Sequence, residues 1–183
     1  MQTPQDRDIK VGKYNTRYWA EGSQGAPVVF VHGIGGFIED WLPSFEALAA
    51  HHRVVAVDLL GHGRTDKPKD GAYQVADLAQ FVMASLPGAQ KAFLKTIRAN
   101  GNLFGQGKNL YDPNVQGLPS IKKPVLVIWG RQDQIVPVAH AQVAAQNIPD
   151  VRVHIFESCG HAPKLEHTQA FNQLLVEFLG NGE

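Results

Sequence analysis

Four short runs rich in valine alternate along the chain with segments of helical periodicity. The runs span residues 27–32, 53–58, 124–129 and 151–156. Apolar runs of this length are typical of strands that are buried on both faces of a sheet. We therefore predict four such strands, preceded by a hairpin over residues 8–20, where hydrophobic and polar positions alternate loosely.

Apolar residues repeat at helical spacing between these runs and after the last of them. The spacing predicts helices just after Pro43, over residues 74–84, and after Pro137, where a proline suits the first turn. The clearest pattern is an apolar stripe over 171–178, with Gly180 placed to end that helix. Strands that alternate with helices predict an α/β fold with a mainly parallel sheet flanked by helices.

The middle of the chain has a different pattern. Residues 87–119 contain no strand-like run; apolar residues near 93–97 suggest one helix that ends near Gly101, and a loop rich in Gly, Asn and Gln follows to Leu118.

Composition and charge narrow the classes of function. The 183 residues fit a single domain, and seventeen basic and seventeen acidic side chains give a net charge of zero. We therefore expect neither nucleic acid nor a membrane surface as a partner, and little protection against self-association. The amino terminus lacks the apolar stretch of a signal peptide, and Cys159 is the single cysteine. A cytoplasmic location is the simplest expectation.

The loops that follow the four predicted strands carry glycine-rich or polar motifs. They are His32-Gly-Ile-Gly-Gly36, the segment Asp58 to Pro68, Gly130-Arg-Gln-Asp-Gln-Ile-Val-Pro137, and Cys159-Gly-His-Ala-Pro163. Together they closely resemble the α/β-hydrolase family, in which they correspond to the oxyanion loop, the loop after the next strand, the triad acid and the triad histidine.

The resemblance implies a role for each matching residue. Asp133 corresponds to the acid that orients a histidine, and His161 to the catalytic base. Ile34 and Gly35 correspond to the loop whose backbone N–H groups face a developing oxyanion. Around them we expect a pocket lined by Gly33, Gly36 and Trp41. The structural alternatives are a turn-forming aspartate, a surface histidine, a simple glycine-rich turn and a core tryptophan.

The family's G-x-S-x-G nucleophile elbow is absent from this sequence. Ser85 lies nearest to its expected place but ends a predicted helix, Ser44 fits an early helix position, and Cys159 suits packing better than attack. The resemblance therefore indicates a shortened member, from which at least one βαβ unit of roughly 30 residues and most of the cap are missing.

This gap affects the expected architecture. We predict a single truncated α/β-hydrolase-like domain, with an N-terminal half at 8–82, a junction and cap remnant at 83–119, and a C-terminal half at 120–183. Loss of the central strand exposes an apolar edge. The first and third of the four strands could pair directly, or two chains could meet along these edges as a homodimer or swapped assembly. A poorly folded fragment is the third alternative.

Two hypotheses of function follow. The first is a hydrolase of ester, amide or related bonds, in which His161 and Asp133 activate water or remove a substrate proton directly. The second is a hydrolase-derived scaffold without catalysis, a binding protein or a deletion product. No phosphate loop, dinucleotide fingerprint or metal-ligand spacing is present, so no cofactor or metal is implied and the expected partner is a small molecule. The first hypothesis requires Asp133 and His161 to lie within hydrogen-bond distance in one cleft.

Overall fold

The chain divides into two compact units, Met1–Ile97 and Arg98–Glu183, called here the N-terminal and C-terminal units. The computed structural model describes residues 3–33, 35–69 and 117–180. The predicted helices over 74–84 and near 93–101 lie outside the described residues, as does Ser85.

The N-terminal unit contains a four-stranded mixed sheet in the order β1-β2-β4-β3. The first two strands form the predicted hairpin, with a turn at Gly12 and Lys13 in which Gly12 adopts a φ of 61°. Strand β2 pairs with β4 in the antiparallel sense and β3 pairs with β4 in the parallel sense. The strands are β1 (Arg7–Val11), β2 (Tyr14–Glu21), β3 (Pro27–Val31) and β4 (Arg53–Val57).

A helical connection leads from β3 to β4 and covers the sheet. It consists of a short 3₁₀ turn, Ile38–Trp41, and helix α1, Leu42–Ala49, whose first turn contains a proline. Trp19 and Phe45 are fully buried and meet edge to face with ring centroids 5.8 Å apart. This aromatic pair joins the sheet to α1 and forms the centre of the core of this unit.

The C-terminal unit contains a parallel pair of strands followed by helices. A 3₁₀ turn, Leu118–Ser120, comes first. The other elements are β5 (Val125–Gly130), α2 (Ala139–Asn147), β6 (Val151–Phe156), α3 (Pro163–Glu166) and α4 (Thr168–Gly180). Most residues of β5 and β6 are only half-buried, and the buried apolar positions include Ala141, Phe171 and Leu174.

The structure confirms the predicted α/β class and all four strands to within one residue at each end. The sheet of the N-terminal unit is mixed because the opening hairpin pairs in the antiparallel sense, whereas β5 and β6 are parallel. Helix α4 and its apolar stripe are also confirmed. Helix α2 begins two residues after Pro137, whose carbonyl accepts a bond from the N–H of His140 at 3.1 Å, so this proline still belongs to the first turn. The four-residue helix α3 has no counterpart in the prediction.

No helix in the described ranges is long and apolar enough to cross a membrane. The single-domain organisation and the three alternatives for the exposed sheet edges stay predictions.

Candidate active site

Two loops leave the carboxyl ends of β5 and β6 side by side. The acid loop, residues 131–137, follows β5, and the histidine loop, residues 157–162, follows β6; Gly130 and Phe156 are partners in the register of the two strands. The N–H of Gln132 donates to the carbonyl of Cys159 at 2.9 Å and joins the two loops. Parallel pairing therefore brings together two segments that are almost thirty residues apart in sequence.

Asp133 and His161 form a hydrogen-bonded pair across these loops. Oδ2 of Asp133 lies 2.9 Å from Nδ1 of His161. The other carboxylate oxygen, Oδ1, accepts the backbone N–H groups of Ile135 and Val136, each at 2.9 Å. The acid is thus held by its own loop through one oxygen and presents the other oxygen to the imidazole.

The surroundings of Asp133 favour its ionised form. Burial is the largest single effect and on its own raises the pKa of this carboxyl, but the bonds from Val136, His161 and Ile135 together outweigh it and hold the pKa below 3.8. An ionised aspartate at Nδ1 fixes the tautomer that carries the proton on Nδ1 and leaves Nε2 as the acceptor.

The histidine is open on its other side. The His161 side chain is 52% exposed whereas that of Asp133 is 4% exposed. Among the described residues no group is hydrogen-bonded to Nε2 of His161. A cavity of about 180 Å³ adjoins the pair; it is lined by Ile128, Trp129, Gly130, Asp133, Val136, His161 and Pro163. It is smaller than the roughly 300–1,000 Å³ of typical small-molecule pockets.

Gly130 permits the close approach of the two loops. A Cβ atom at this position would collide with the carbonyl oxygens of Cys159 and Gly160, which are backbone atoms of the histidine loop. The acid loop is further held by Trp129, whose indole Nε1–H donates to the carbonyl of Val136 at 3.0 Å. The geometry of the pair therefore depends on a glycine and a tryptophan at the end of β5.

Two charged side chains that the sequence analysis did not select also act on these loops. Arg131 of the acid loop forms an exposed, two-pronged ion pair with Glu157 of the histidine loop. Glu166, in α3, accepts the backbone N–H groups of Gly160 and Ala162 at 2.7 and 2.9 Å. No capping-box pattern marks Glu166 in the sequence, because the residue before α3 is Ala162 rather than serine or threonine.

The predicted oxyanion loop lies in the N-terminal unit, directly after β3. Gly33 and Gly35 are exposed and Gly36 is half-buried, whereas Ile34 lies outside the described residues. Gly35 adopts a φ of 76°, and the N–H of Gly36 already donates to the carbonyl of Gly33 at 3.1 Å. Of the two predicted donors, Gly35 is the one described, and its N–H bonds to no other described residue.

His32 holds this loop against the end of β4. Its Nε2 accepts the N–H of Leu59 at 3.0 Å, so its proton is on Nδ1, which lies 2.7 Å from the carbonyl of Gly33. Burial is the main effect that holds the pKa of His32 below 6.5, which keeps the ring neutral in this role. This histidine is structural.

Trp41, a predicted pocket residue, stacks on Phe30 of β3 with ring centroids 4.8 Å apart. The two alternative nucleophiles that the structure describes are buried. Ser44 lies inside α1, and Cys159 is 1% exposed. Burial first, and then the carboxylate of Glu166, raise the pKa of the Cys159 thiol, which is the opposite of what a reactive cysteine requires.

The comparisons with known proteins agree with this architecture. A family model described as "alpha/beta hydrolase fold" matches residues 26–93 and 97–168. Among solved structures, a meta-cleavage product hydrolase superimposes with a TM-score of 0.78 over 96% of this chain and 98% of that chain, at 18% identity. At this level of identity the likeness concerns the fold alone.

Two curated relatives show how much of a longer protein the chain represents. The 2-hydroxy-6-oxo-6-phenylhexa-2,4-dienoate hydrolase of Burkholderia cepacia is 46% identical over 65 residues, which are 36% of this chain and 23% of that enzyme. The dihydrolipoyllysine-residue acetyltransferase component of the acetoin cleaving system of Cupriavidus necator is 27% identical over 252 residues, 90% of this chain and 66% of that protein. The chain thus spans just under two thirds of one relative and about a quarter of the other. An alignment of 252 positions exceeds the 183 residues of the chain and therefore requires gaps within it.

Proposed function

Because the chain belongs to the α/β-hydrolase family, we propose that it hydrolyses an ester, amide or related carbonyl bond of a small molecule. In this proposal His161 is the general base and Asp133 orients it. The observation that carries the proposal is the hydrogen-bonded pair itself: Nδ1 of His161 lies 2.9 Å from Oδ2 of Asp133, and the His161 side chain is 52% exposed.

The proposed reaction uses water as the nucleophile, since the sequence contains no nucleophile elbow. Nε2 of His161 takes a proton from water as the water oxygen bonds to the carbonyl carbon, and the C=O electron pair moves to the carbonyl oxygen. When the tetrahedral species collapses, the C=O bond re-forms and the bond to the leaving group breaks. The leaving group takes the proton from the imidazolium, which Asp133 stabilises throughout.

The glycine-rich loop after β3 has a part in this proposal. The N–H of Gly35, with that of Ile34, would donate to the oxyanion, and Gly33, Gly36 and Trp41 would line the substrate pocket. The family's second donor follows its nucleophile and has no counterpart in this sequence. We therefore expect slow hydrolysis, because triad removal leaves only roughly 10³–10⁴-fold catalysis over water.

The test is hydrolysis of a short-chain nitrophenyl ester by the wild-type protein and by His161→Ala. His51→Ala is the matched control, since His51 is an exposed histidine of the N-terminal unit. Loss of a general base predicts a fall of about 10²–10⁴-fold in kcat for His161→Ala and no change for His51→Ala. Equal rates in all three proteins would overturn the proposal. Ser85→Ala tests the substitute nucleophile; a loss as large as that of His161→Ala would replace water by this serine.

A second substrate sharpens the chemical class. The Burkholderia cepacia relative is named as a hydrolase of a hydroxy-oxo-dienoate. If the chain keeps that preference, cleavage of an aryl hydroxy-oxo-dienoate is faster than ester hydrolysis and equally dependent on His161.

One observation favours the alternative of a scaffold without catalysis. The alignment with the Cupriavidus protein requires gaps within this chain, and the sequence contains no G-x-S-x-G motif. A chain that binds but does not hydrolyse a nitrophenyl ester would support this alternative.

Two further expectations belong with this proposal. Within the described part of the N-terminal unit, β3 has a partner strand on one edge only, which supports pairing of two chains as a homodimer. Light scattering at several concentrations tests it, and a monomeric mass throughout would contradict it. The single cysteine supports a cytoplasmic location, which cell fractionation tests.

A further inference from the structure

We propose that Glu166 is a positioning residue that fixes His161 against Asp133 by binding the backbone on both sides of the histidine. This inference rests on the proposed function for its kinetic consequence and on geometry alone for the contact. It assigns a role to a carboxylate that takes no part in the proton transfers described above.

The carboxylate of Glu166 binds the backbone on both sides of His161. Oε2 of Glu166 accepts the N–H of Gly160 at 2.7 Å, and Oε1 accepts the N–H of Ala162 at 2.9 Å. The Ala162 N–H belongs to the peptide bond that directly follows His161. The carboxylate therefore restrains the backbone before and after the residue that carries the imidazole, and both bonds are of the short, charge-assisted kind.

The glutamate is itself anchored by the start of α3. The N–H of Glu166 donates to the carbonyl of Ala162 at 2.9 Å, so backbone and side chain of Glu166 both bond to the same residue. Thr168 extends the anchor, because its hydroxyl donates to the carbonyl of Lys164 at 3.0 Å. This closed arrangement turns a four-residue helix into a fixed support for the histidine loop.

The charge of Glu166 fits this task. The two backbone bonds are the largest effects on its pKa and hold it below 4.5, so the carboxylate stays ionised at neutral pH. The titratable groups that face it are the Cys159 thiol and the His167 imidazole, and both favour a lower pKa of Glu166. Glutamine cannot replace it, since an amide has one oxygen and would turn N–H donors toward the second backbone N–H.

Support of this kind matters because proton transfer is sensitive to position. A displacement of about 1 Å in a catalytic group can reduce the rate by about 10²-fold. The Arg131–Glu157 ion pair joins the loops at their other ends but is exposed on both sides, where such pairs hold geometry weakly. Glu166 is the contact that acts directly beside His161.

The first test needs no variant. Amide proton shifts of Gly160 and Ala162 are followed by NMR as the wild-type protein is acidified. The proposal predicts that both resonances move together with one midpoint below 4.5, as their shared acceptor is protonated. Separate midpoints, or no movement, would overturn it, whether or not the protein hydrolyses any ester.

The second test compares Glu166→Gln and Glu166→Asp with Glu177→Gln. Glu177 is an exposed glutamate of α4 that pairs with Arg152 at 3.5 Å, so its variant removes the same charge away from the site. We expect Glu166→Gln to lower kcat by about 10- to 100-fold with KM unchanged, and to speed solvent exchange of the His161 Nδ1 proton. Glu166→Asp, whose shorter side chain cannot span both N–H groups, should show a similar loss, and Glu177→Gln none.

Unchanged Nδ1 exchange and unchanged kcat in a folded Glu166→Gln protein would contradict the positioning role. If the wild-type protein shows no hydrolysis, the proposed function fails while the amide titration and Nδ1 exchange still decide this inference. If Glu166→Gln does not fold, Glu166→Asp and the wild-type titration decide it.

Discussion

Two aspartates follow parallel strands in the two units, and their surroundings differ in one decisive respect. Asp58 comes directly after β4 and is fully buried; its oxygens accept the N–H groups of Ile38 and Arg64 and the guanidinium of Arg17, at 2.8 to 3.2 Å. Asp133 follows β5 by three residues and also accepts two backbone N–H groups. Its remaining partner is an exposed histidine.

The two carboxylates differ in the side chain that each one faces. Asp58 faces an arginine and is structural, whereas Asp133 faces a histidine and is a candidate for catalysis. Arg17 is 4% exposed and keeps its proton at all relevant pH values, so Asp58 has no group with which to exchange one. His161 has a second ring nitrogen, Nε2, which is hydrogen-bonded to no group among the described residues. Similar strand-end positions therefore support opposite roles, and the residue facing the carboxylate decides which.

The largest expected effect tests the structural side of this comparison. Asp58→Ala leaves the buried Arg17 with fewer partners, and it leaves the buried N–H of Ile38 and the partly buried N–H of Arg64 without this acceptor. We expect the free energy of unfolding to fall by about 3–5 kcal/mol, as is typical when a buried pair is broken. Asp133→Ala should lower it by about 1–3 kcal/mol, since it removes only hydrogen bonds at the edge of its unit. Urea denaturation measures both, and a greater loss for Asp133→Ala would reverse the assignment of roles.

The next largest effect concerns Gly130, which allows the acid loop and the histidine loop to approach closely enough for the Asp133–His161 pair to form. Gly130→Ala places a methyl group against the carbonyls of Cys159 and Gly160, which are backbone and cannot rotate away. We expect a loss of about 1–3 kcal/mol of stability, as for overpacked sites, together with a lower rate of ester hydrolysis. Gly180→Ala is the control, because a Cβ there meets nothing within 4 Å. If Gly130→Ala kept wild-type stability and rate, as the control should, the close approach of the two loops would not depend on this glycine.

The smallest expected effect is a loss of folding stability in acid, which occurs in two separate steps. The folded pKa of His32 is below 6.5, so the unfolded chain binds that proton first; stability is complete above pH 6.5 and falls as the pH drops below it. The folded pKa of Asp133 is below 3.8, so its contribution is present above pH 3.8 and is lost as the pH falls through the folded value.

Amide shifts resolve the two steps, with Leu59 reporting on the first and Val136 on the second. His32→Gln, whose side-chain oxygen can still accept the N–H of Leu59, should remove only the first step, and Asp133→Asn only the second. A single step shared by both amides would mean that the two sites do not titrate independently.

The sequence allowed prediction of the elements that have local periodicity. Strands β3 to β6 and the stripe of α4 are short, regular patterns, and the structure contains them at the predicted places. The Asp133–His161 pair was predicted through resemblance, which carries long-range information that periodicity lacks. The oxyanion role of Ile34 and Gly35 stays a prediction.

Two kinds of feature could not be predicted from the sequence. They are contacts between residues that are far apart in the chain, and elements that are too short to show a hydrophobic period. Arg17 and Asp58 are 41 positions apart, and no local pattern joins them. Helix α3 has four residues, about one turn, so neither it nor the role of Glu166 produces a periodic signal. Both features depend on where the strands bring the loops.

A double-mutant cycle tests most directly the claim that Asp133 and His161 act as one unit. The rates of nitrophenyl ester hydrolysis are measured for the wild type, Asp133→Ala, His161→Ala and the double variant. If the acid acts only through the histidine, the double variant loses no more activity than His161→Ala alone, and the losses are far from additive. Losses whose free energies simply add, or four equal rates, would contradict the account.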